Sequence, residues 1–459
     1  VHETLPAAPC YRYHRIGWRA QAGGTIAGQL RGTMTTSTTQ AENLLFLTLL
    51  QLIVMVGAAR YMHTVFRRLG QPGVIGEIFA GLLLGPSLIG HFFPEASLAL
   101  FGAHASAPIT IISQIGLILL MFQIGMDFEF GHLDTRRNRR AAVAVTLVSV
   151  GVPLGAGILA GWLSAPVLAP ASDPVCYSLF LGLGMAITAV PILGRILRQY
   201  GLTRTEVGVV AISAAAINDV TGWVLLSVVS AYAAAQFSLA HLSIQLGGLI
   251  LFVAALWFVL RPAAARLLAR YPSRNGAVDP NLMAIVVCVI FALGICTYKL
   301  GIFAIFGGFA GGVLFHRDKP FVEAWHSQVG RFVLVFFLPV FFTYTGLRTN
   351  VLGLTTAGDW EWLTILLTVA VLSKVVPVYW AGRACGFDRN QSSILGTLMN
   401  TRALMELIVL NIGYDLKLIP QKVFTMLVIM AVVTTLMAGP LLKRLLRAAG
   451  HEVPAGLEA

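Results

Sequence analysis

Ile75–Gly85 reads IGEIFAGLLLG, and Ile305–Leu314 reads IFGGFAGGVL. Both are glycine-rich apolar runs. Each is followed by a helix that closes on a glycine turn, FQIGMDFE around Gly125 after the first and FTYTGLRTN around Gly346 after the second. Small residues recur in any tightly packed set of membrane helices. Here composition and order agree, so one half of the chain repeats the other.

The surroundings are apolar nearly throughout. Of 459 residues, 57% are apolar and 11% are charged, against about 25% charged in soluble domains. So few charges cannot cover a water-facing surface of this size. That excludes a cytosolic enzyme, a disordered chain and a basic nucleic-acid-binding domain. Thirteen apolar segments are read, at approximately 43–63, 72–90, 109–130, 141–163, 175–197, 206–232, 239–260, 279–298, 300–316, 331–347, 362–384, 391–412 and 421–445. Most approach the roughly 20 residues that cross a bilayer as a helix; the second, ninth and tenth are short. The expected fold is an all-α polytopic membrane protein with thirteen transmembrane helices in residues 42–447. Residues 1–41, polar and without a signal-peptide-like apolar run, are expected to be a disordered or non-native tail, with Met34 as an alternative start. Residues 448–459 are expected to be a short cytoplasmic tail.

The net charge of +12 comes from 32 Lys and Arg against 20 Asp and Glu, and it is unevenly placed. Alternate loops, beginning after the first segment, hold runs such as Arg136, Arg137, Arg139 and Arg140, or Arg261, Arg266, Arg270 and Arg274. The opposite loops hold Lys299, Arg348, Lys417 and Lys422. Basic loops stay in the cytoplasm. The N-terminus is therefore expected outside and the C-terminus inside, in a bacterial inner membrane. On this placement the first quoted stretch starts inside and its copy starts outside. The halves, about 72–232 and 300–445, are thus inverted copies, an arrangement that puts a transport site near the midplane on interrupted helices.

Ionisable residues inside apolar segments are costly and mark function. Asp219, in ISAAAINDVTGWVL at Ile212–Leu225, lies near the middle of the sixth segment with small neighbours beside it. It can hold a proton or a partly dehydrated monovalent cation, but not both. The alternative is a buried acid tied to a Lys or Arg for packing specificity. Asn218 offers an amide beside it. Lys374, in VAVLSKVVPV at Val369–Val378, is too deep to reach either surface easily. It either pairs with Asp219, hydrogen-bonds Asn218 as a neutral amine, or stands as a fixed counter-charge.

Thr188-Ala189-Val190-Pro191 interrupts the fifth segment, since Pro191 brings no N–H to the Ile187 carbonyl. Unwound backbone at this depth is tolerated only inside protein or beside a watery cavity. The freed carbonyls and the Thr188 hydroxyl are hard oxygen ligands suited to an alkali cation; an ordinary proline kink is the plainer reading. Asn400-Thr401-Arg402 occupies the repeat counterpart, where Arg402 and Glu406, spaced i,i+4, read as a structural ion pair. Glu77, Asp127 and Glu129 read as solvated helix ends rather than an entry funnel, and no histidine stands out. The five cysteines, Cys10, Cys176, Cys288, Cys296 and Cys385, suggest neither a disulfide framework nor a zinc site. No GxxxxGK[ST], HExxH, GxSxG or TVGYG motif occurs, against direct ATP drive, membrane hydrolysis and a K⁺-channel filter. No cofactor, nucleotide or nucleic acid is expected; membrane lipid is.

These residues resemble the monovalent cation:proton antiporter-2 family, the broad sodium/hydrogen exchanger membrane domain. The matching segments, in family order across about 42–445, are GEIFAGLLLGPSLIG (Gly76–Gly90), TAVPILGRIL (Thr188–Leu197), AINDVTGWVLL (Ala216–Leu226), PVFFTYTGLRTNV (Pro339–Val351), Lys374 and MNTRALMELIVLNIG (Met399–Gly413). The asparagine-aspartate pair looks most like the cation/proton exchangers of plants, yeast and their bacterial relatives. The resemblance implies a homodimer and elevator-type alternating access, with a six-helix core carrying the site on two crossed, broken helices. It implies that Asp219 binds the cation or proton, that Thr188 and backbone near Ala189 ligate the ion, and that Lys374 neutralises half-helix ends or an acidic partner. Electrogenic members carry two adjacent aspartates, the first paired with the lysine; Asn218 departs from that pattern, which leaves two alternatives, one-for-one electroneutral exchange or a proton carried by the retained Lys374 itself. Members with potassium-efflux roles often add a nucleotide-binding domain, and this sequence shows none. The leading reading is exchange of Na⁺ or K⁺ for H⁺; the alternative is a gated, channel-like K⁺ efflux pathway without obligatory proton coupling.

Overall fold

The computed structural model describes residues 23–102, 106–127, 136–203, 205–233, 239–273, 276–300, 303–402 and 404–448. The chain divides into two compact units, Val1–Leu50 and Gln51–Ala459, and the second carries the candidate site. The regular structure is helical: α1 (Gly23–Arg68), α2 (Gly73–Leu84), the short α3 (Ile89–Phe92) and α4 (Pro94–Phe101), α5 (Ser106–Met126), α6 (Arg136–Leu168), α7 (Pro174–Ala186), α8 (Val190–Gln199), α9 (Glu206–Ala233), α10 (Leu239–Ala255), α11 (Arg261–Arg270), α12 (Pro280–Lys299), α13 (Ile305–Phe315), α14 (Lys319–Trp325), α15 (Leu338–Leu347), α16 (Ala357–Ala384), α17 (Arg389–Met399), α18 (Leu404–Asp415) and α19 (Gln421–Ala448). Local chemistry sets several starts. Asp173, Asp279 and Asp318 accept first-turn N–H groups just ahead of a proline, while Thr356 with Asp359 and Asp388 with Gln391 form capping boxes. Each supplies acceptors to N–H groups that have no partner within the helix.

Ten described helices are long and apolar enough to cross a bilayer. The expected segments at 175–197, 300–316 and 391–412 are built instead from the shorter α7 and α8, α13, and α17 and α18. Helix length by itself therefore supports ten spans, not thirteen, within an all-helical polytopic fold. Two boundaries also differ from expectation. Helix α1 begins at Gly23, so residues 23–41 of the expected tail are helical, while 1–22 and 449–459 lie outside the described residues. The helix expected at 331–347 already starts at Lys319 and passes through two π-helical stretches, His326–Gly330 and Val333–Phe337, the kind of local widening that helices tolerate in single turns. Large apolar side chains such as Leu147, Leu163, Ile250, Leu251 and Trp380 stay exposed, as suits contact with lipid.

Helix packing falls into two groups. In the first, α2 packs on α15, α5 on α13 and α15, and α12 on α13; in the second, α6 packs on α7, α9 and α16, and α17 and α18 pack on α19. The repeat is written in the backbone of the first group. A Cβ on Gly346 of α15 would stand 2.7 Å from the Gly81 Cα of α2, and one on Gly312 of α13 would stand 2.8 Å from the Gly125 Cα of α5. The leading helix of each repeat thus crosses the closing helix of the other at a glycine pair. Only residues without side chains allow so close an approach, which explains why glycine recurs in both quoted stretches and both closing turns.

Candidate functional site

The two interruptions lie in the second group and meet. Helix α7 ends at Ala186 and α8 begins at Val190; α17 ends at Met399 and α18 begins at Leu404. The Ala189 N–H donates to the Thr401 carbonyl at 3.2 Å, and the Thr188 hydroxyl donates to the Met399 carbonyl at 3.1 Å. Each unwound segment thus supplies partners to the other, which answers the demand that buried backbone polar groups be paired. The far sides are held in matching fashion. The Thr188 N–H donates to Asn218 Oδ1 at 3.2 Å, and the Arg402 N–H donates to Thr435 Oγ1 at 3.3 Å. The Thr-Ala-Val-Pro interruption is therefore a full helix break rather than a kink.

Asp219 stands on α9 beside the first break, 9% exposed. Its carboxylate lies near the Val190 N–H at the start of α8, where the dipole of a helix N-terminus favours an anion. Its Oδ1 has no hydrogen-bond donor among the described residues. A buried carboxylate with one oxygen so placed is chemically suited to a proton or a bare cation. Asn218 points the other way: its Nδ2 donates to the Ala186 carbonyl at 3.2 Å and to Ser149 Oγ at 3.4 Å.

Lys374 is completely buried on α16, and its Nζ also donates to the Ala186 carbonyl. Of the alternatives open from sequence, neither a bond to Asn218 nor a bond to Asp219 is made. The ammonium instead caps the carbonyl end of α7, with Asp219, Arg402 and Glu406 within electrostatic reach. Arg402 reinforces the same end: its Nη1 donates to the Gly184 carbonyl at 3.0 Å and its Nη2 to the Ala370 carbonyl at 3.2 Å. Cations at a helix C-terminus are favourable. The Arg402–Glu406 pair is present at 3.6 Å with both side chains fully buried, yet both Glu406 oxygens lack a hydrogen-bond donor among the described residues. The i,i+4 spacing indicated the pair but not that the guanidinium spends its hydrogen bonds on two other helices.

Glu77, expected as a solvated end, is 1% exposed and faces His63 at 2.7 Å. Asp127 is exposed and contacts His326 at 2.9 Å, and Glu129 lies outside the described residues. Sequence reasoning missed Ser149, Thr435 and the Ala186 and Met399 carbonyls. Ser149 and Thr435 are two of many hydroxyls in apolar helices, and a carbonyl carries no sequence signal at all. Among the described residues no three His, Cys, Asp or Glu side chains are grouped to hold a resident metal ion.

Residues 24–448 match the sodium/hydrogen exchanger transmembrane family. The chain is 33% identical over 414 residues to the Na(+)/H(+) antiporter NhaS4 of Synechocystis sp., which covers 89% of this chain and 99% of that protein. It is 31% identical over 396 residues to cation/H(+) antiporter 18 of Arabidopsis thaliana, covering 86% of this chain and 48% of the plant protein. Against K(+)/H(+) antiporter 1 of Saccharomyces cerevisiae the identity is 26% over 413 residues, with 86% and 46% covered. The chain thus spans about half the length of these last two relatives. Among solved structures, the sodium proton antiporter MjNhaP1 from Methanocaldococcus jannaschii superposes with a TM-score of 0.60 over 88% of this chain and 98% of that one, at 14% identity; the likeness concerns the fold alone. With both broken helices inside the matched span and a relative one-third identical along its whole length, this chain belongs to the sodium/hydrogen exchanger family.

Proposed function

We propose that this protein is a secondary antiporter that exchanges a monovalent cation, Na⁺ or K⁺, for H⁺. Proton and cation compete for Asp219, with Thr188 and the backbone near Ala189 completing the cation's oxygen shell. The observation that carries this reading is the Asp219 carboxylate itself, buried beside a helix break with Oδ1 free of protein donors among the described residues. The names of the relatives point the same way, including the Na(+)/H(+)-K(+) antiporter GerN of Bacillus cereus, 28% identical over 381 residues. The separation of the helices into two packed groups supports movement of the site-bearing group past the other, as in elevator-type alternating access. Asn218, in place of a carboxylate partner for Lys374, supports one-for-one electroneutral exchange. The basic loops support a C-terminus in the cytoplasm of a bacterial inner-membrane protein, and a homodimer is the expected assembly.

The test is exchange in proteoliposomes carrying a pH-sensitive dye. Addition of Na⁺ or K⁺ is expected to move protons in the wild type, and Asp219→Asn is expected to abolish the signal. A persistent signal in the variant sinks the assignment of Asp219, and single-channel currents without proton coupling sink antiport.

A further inference from the structure

At one end of the bundle, where α15 finishes and α19 begins, four side-chain hydrogen bonds cross from one helix group to the other. Arg348, just beyond α15, donates from Nη1 to Asn411 Oδ1 at 3.0 Å and from Nη2 to Asp415, both on α18. Asn411 Nδ2 donates to Thr345 Oγ1 at 2.9 Å, and the Asn350 N–H donates to Thr425 Oγ1 at 3.2 Å. The guanidinium also lies over the rings of Tyr344, 5.2 Å away, and Tyr414, 4.8 Å away, one from each group. Charge-assisted hydrogen bonds and cation–π contacts together make a firm, directional grip.

We propose that Arg348 is the closing residue of a latch that holds the two helix groups together at this end and must release Asn411 and Asp415 in each transport cycle. The inference rests on the exchange reading above and concerns residues outside the ion site. Helix α18 is the link. Its first turn carries Glu406 beside the break, and its last turns carry Asn411, Tyr414 and Asp415. Twelve residues make a rod about 18 Å long, so a hold on its far end restrains the break at its near end. Release is sterically open to the arginine. A cavity of about 590 Å³ lies alongside, with Gln51, Phe101, Tyr344, Arg348 and Tyr414 in its wall. In the orientation proposed above this end faces outside.

The experiment bridges the latch covalently. Arg348→Cys/Asp415→Cys protein in proteoliposomes is treated with a short, reducible bis-methanethiosulfonate, and cross-linking is verified by mass. We expect cation-driven proton movement to fall at least tenfold relative to the untreated variant and to recover with dithiothreitol, while wild type and each single variant are unaffected. Verified cross-linking without loss of rate overturns the latch. If the wild type itself shows no exchange, the functional reading fails, and the latch is judged by deuterium uptake of the full chain. Arg348→Met is expected to speed exchange of the α18 amides at least tenfold, and unchanged uptake overturns it. The same measurement serves if the double variant does not fold.

Discussion

Asn218 Nδ2 and Lys374 Nζ donate to one acceptor, the carbonyl oxygen of Ala186. That oxygen belongs to the last turn of α7, whose carbonyls have no helical donors because the chain unwinds directly after it. Lys374 therefore acts here as a helix cap, a role that needs no carboxylate at position 218. The amide at 218 serves the same carbonyl while its oxygen receives the Thr188 N–H.

Asn218→Asp tests this arrangement. The carboxylate keeps an acceptor for Thr188 but loses both donated bonds, to Ala186 and Ser149, and offers Lys374 a charged partner. Lys374 then has reason to exchange its proton during the cycle, which adds a moving charge worth about 2.3 kcal/mol per 100 mV. Exchange by the wild type is expected to run equally fast at clamped potentials of either sign, and that of the variant is expected to differ severalfold between them. A variant as blind to voltage as the wild type would show that Lys374 stays protonated regardless of its neighbour.

Much of this site was legible in sequence because charge in an apolar segment is conspicuous. Asp219, Lys374 and Arg402 could not be overlooked, and the glycine stretches announced the repeat. One helix break was legible too, through Pro191; the other, at Asn400-Thr401-Arg402, was expected only from its place in the repeat and from the family resemblance. What sequence could not supply was direction. Lys374 had two candidate partners, Asp219 and Asn218, and the one it took is neither but a backbone oxygen that any residue at 186 would provide. The spacing of Arg402 and Glu406 gave their proximity but hid the Gly184 and Ala370 carbonyls, which come from helices distant in the chain. Glu77 looked like a solvated end because it sits early in an apolar run, whereas packing against His63 buries it. The Arg348 contacts join residues whose separate positions near loop ends gave no hint of one another.

Removal of Arg402 and of Glu406 should have unequal effects. Arg402→Ala strips donors from two buried carbonyls and leaves Glu406 without its cation, a loss of about 3–5 kcal/mol when a buried pair is broken from one side. Glu406→Gln leaves the guanidinium bonded to Gly184 and Ala370 and places a neutral group where no donor faced the carboxylate. It should cost well under half as much. Thermal unfolding in detergent, followed by loss of monodisperse protein, checks the order; equal losses would show that the ion pair itself, and not the carbonyl contacts, is what Arg402 contributes.

Asp173 gives a pH dependence outside the membrane-spanning helices. The Cys176 N–H donates to its exposed carboxylate at 2.7 Å and holds the group below its ordinary value. A carboxyl with a depressed folded-state value stabilises the fold above the unfolded range, near about 3.9, and that contribution disappears as pH falls through the folded value. Asp173→Ala should therefore melt slightly below the wild type at neutral pH, with the difference vanishing in acid. Asp173→Asn, which keeps a capping oxygen but cannot titrate, should melt above Asp173→Ala by the same margin at every pH. A gap between wild type and Asp173→Ala that persists at the acid end would show that the carboxylate's charge plays no part.

The glycine crossings allow a test of the repeat itself. Gly81 and Gly125 come from different helices of one half, yet each faces a glycine of the other half, Gly346 and Gly312. A methyl group on Gly81 would stand 2.8 Å from the Gly346 Cα, and one on Gly125 would stand 3.0 Å from the Gly312 Cα. Backbone cannot yield as a flexible side chain can, so Gly81→Ala and Gly125→Ala should each destabilise by about 1–3 kcal/mol, the usual cost of overpacking. Because the two sites are related by the inverted repeat, their losses should be similar. Gly151→Ala is the control: it lies exposed on α6 with nothing within 4 Å of a new Cβ, and alanine should be neutral or slightly favourable there. If Gly81→Ala and Gly125→Ala melt with the Gly151 variant, the close crossing is not what holds the two halves together.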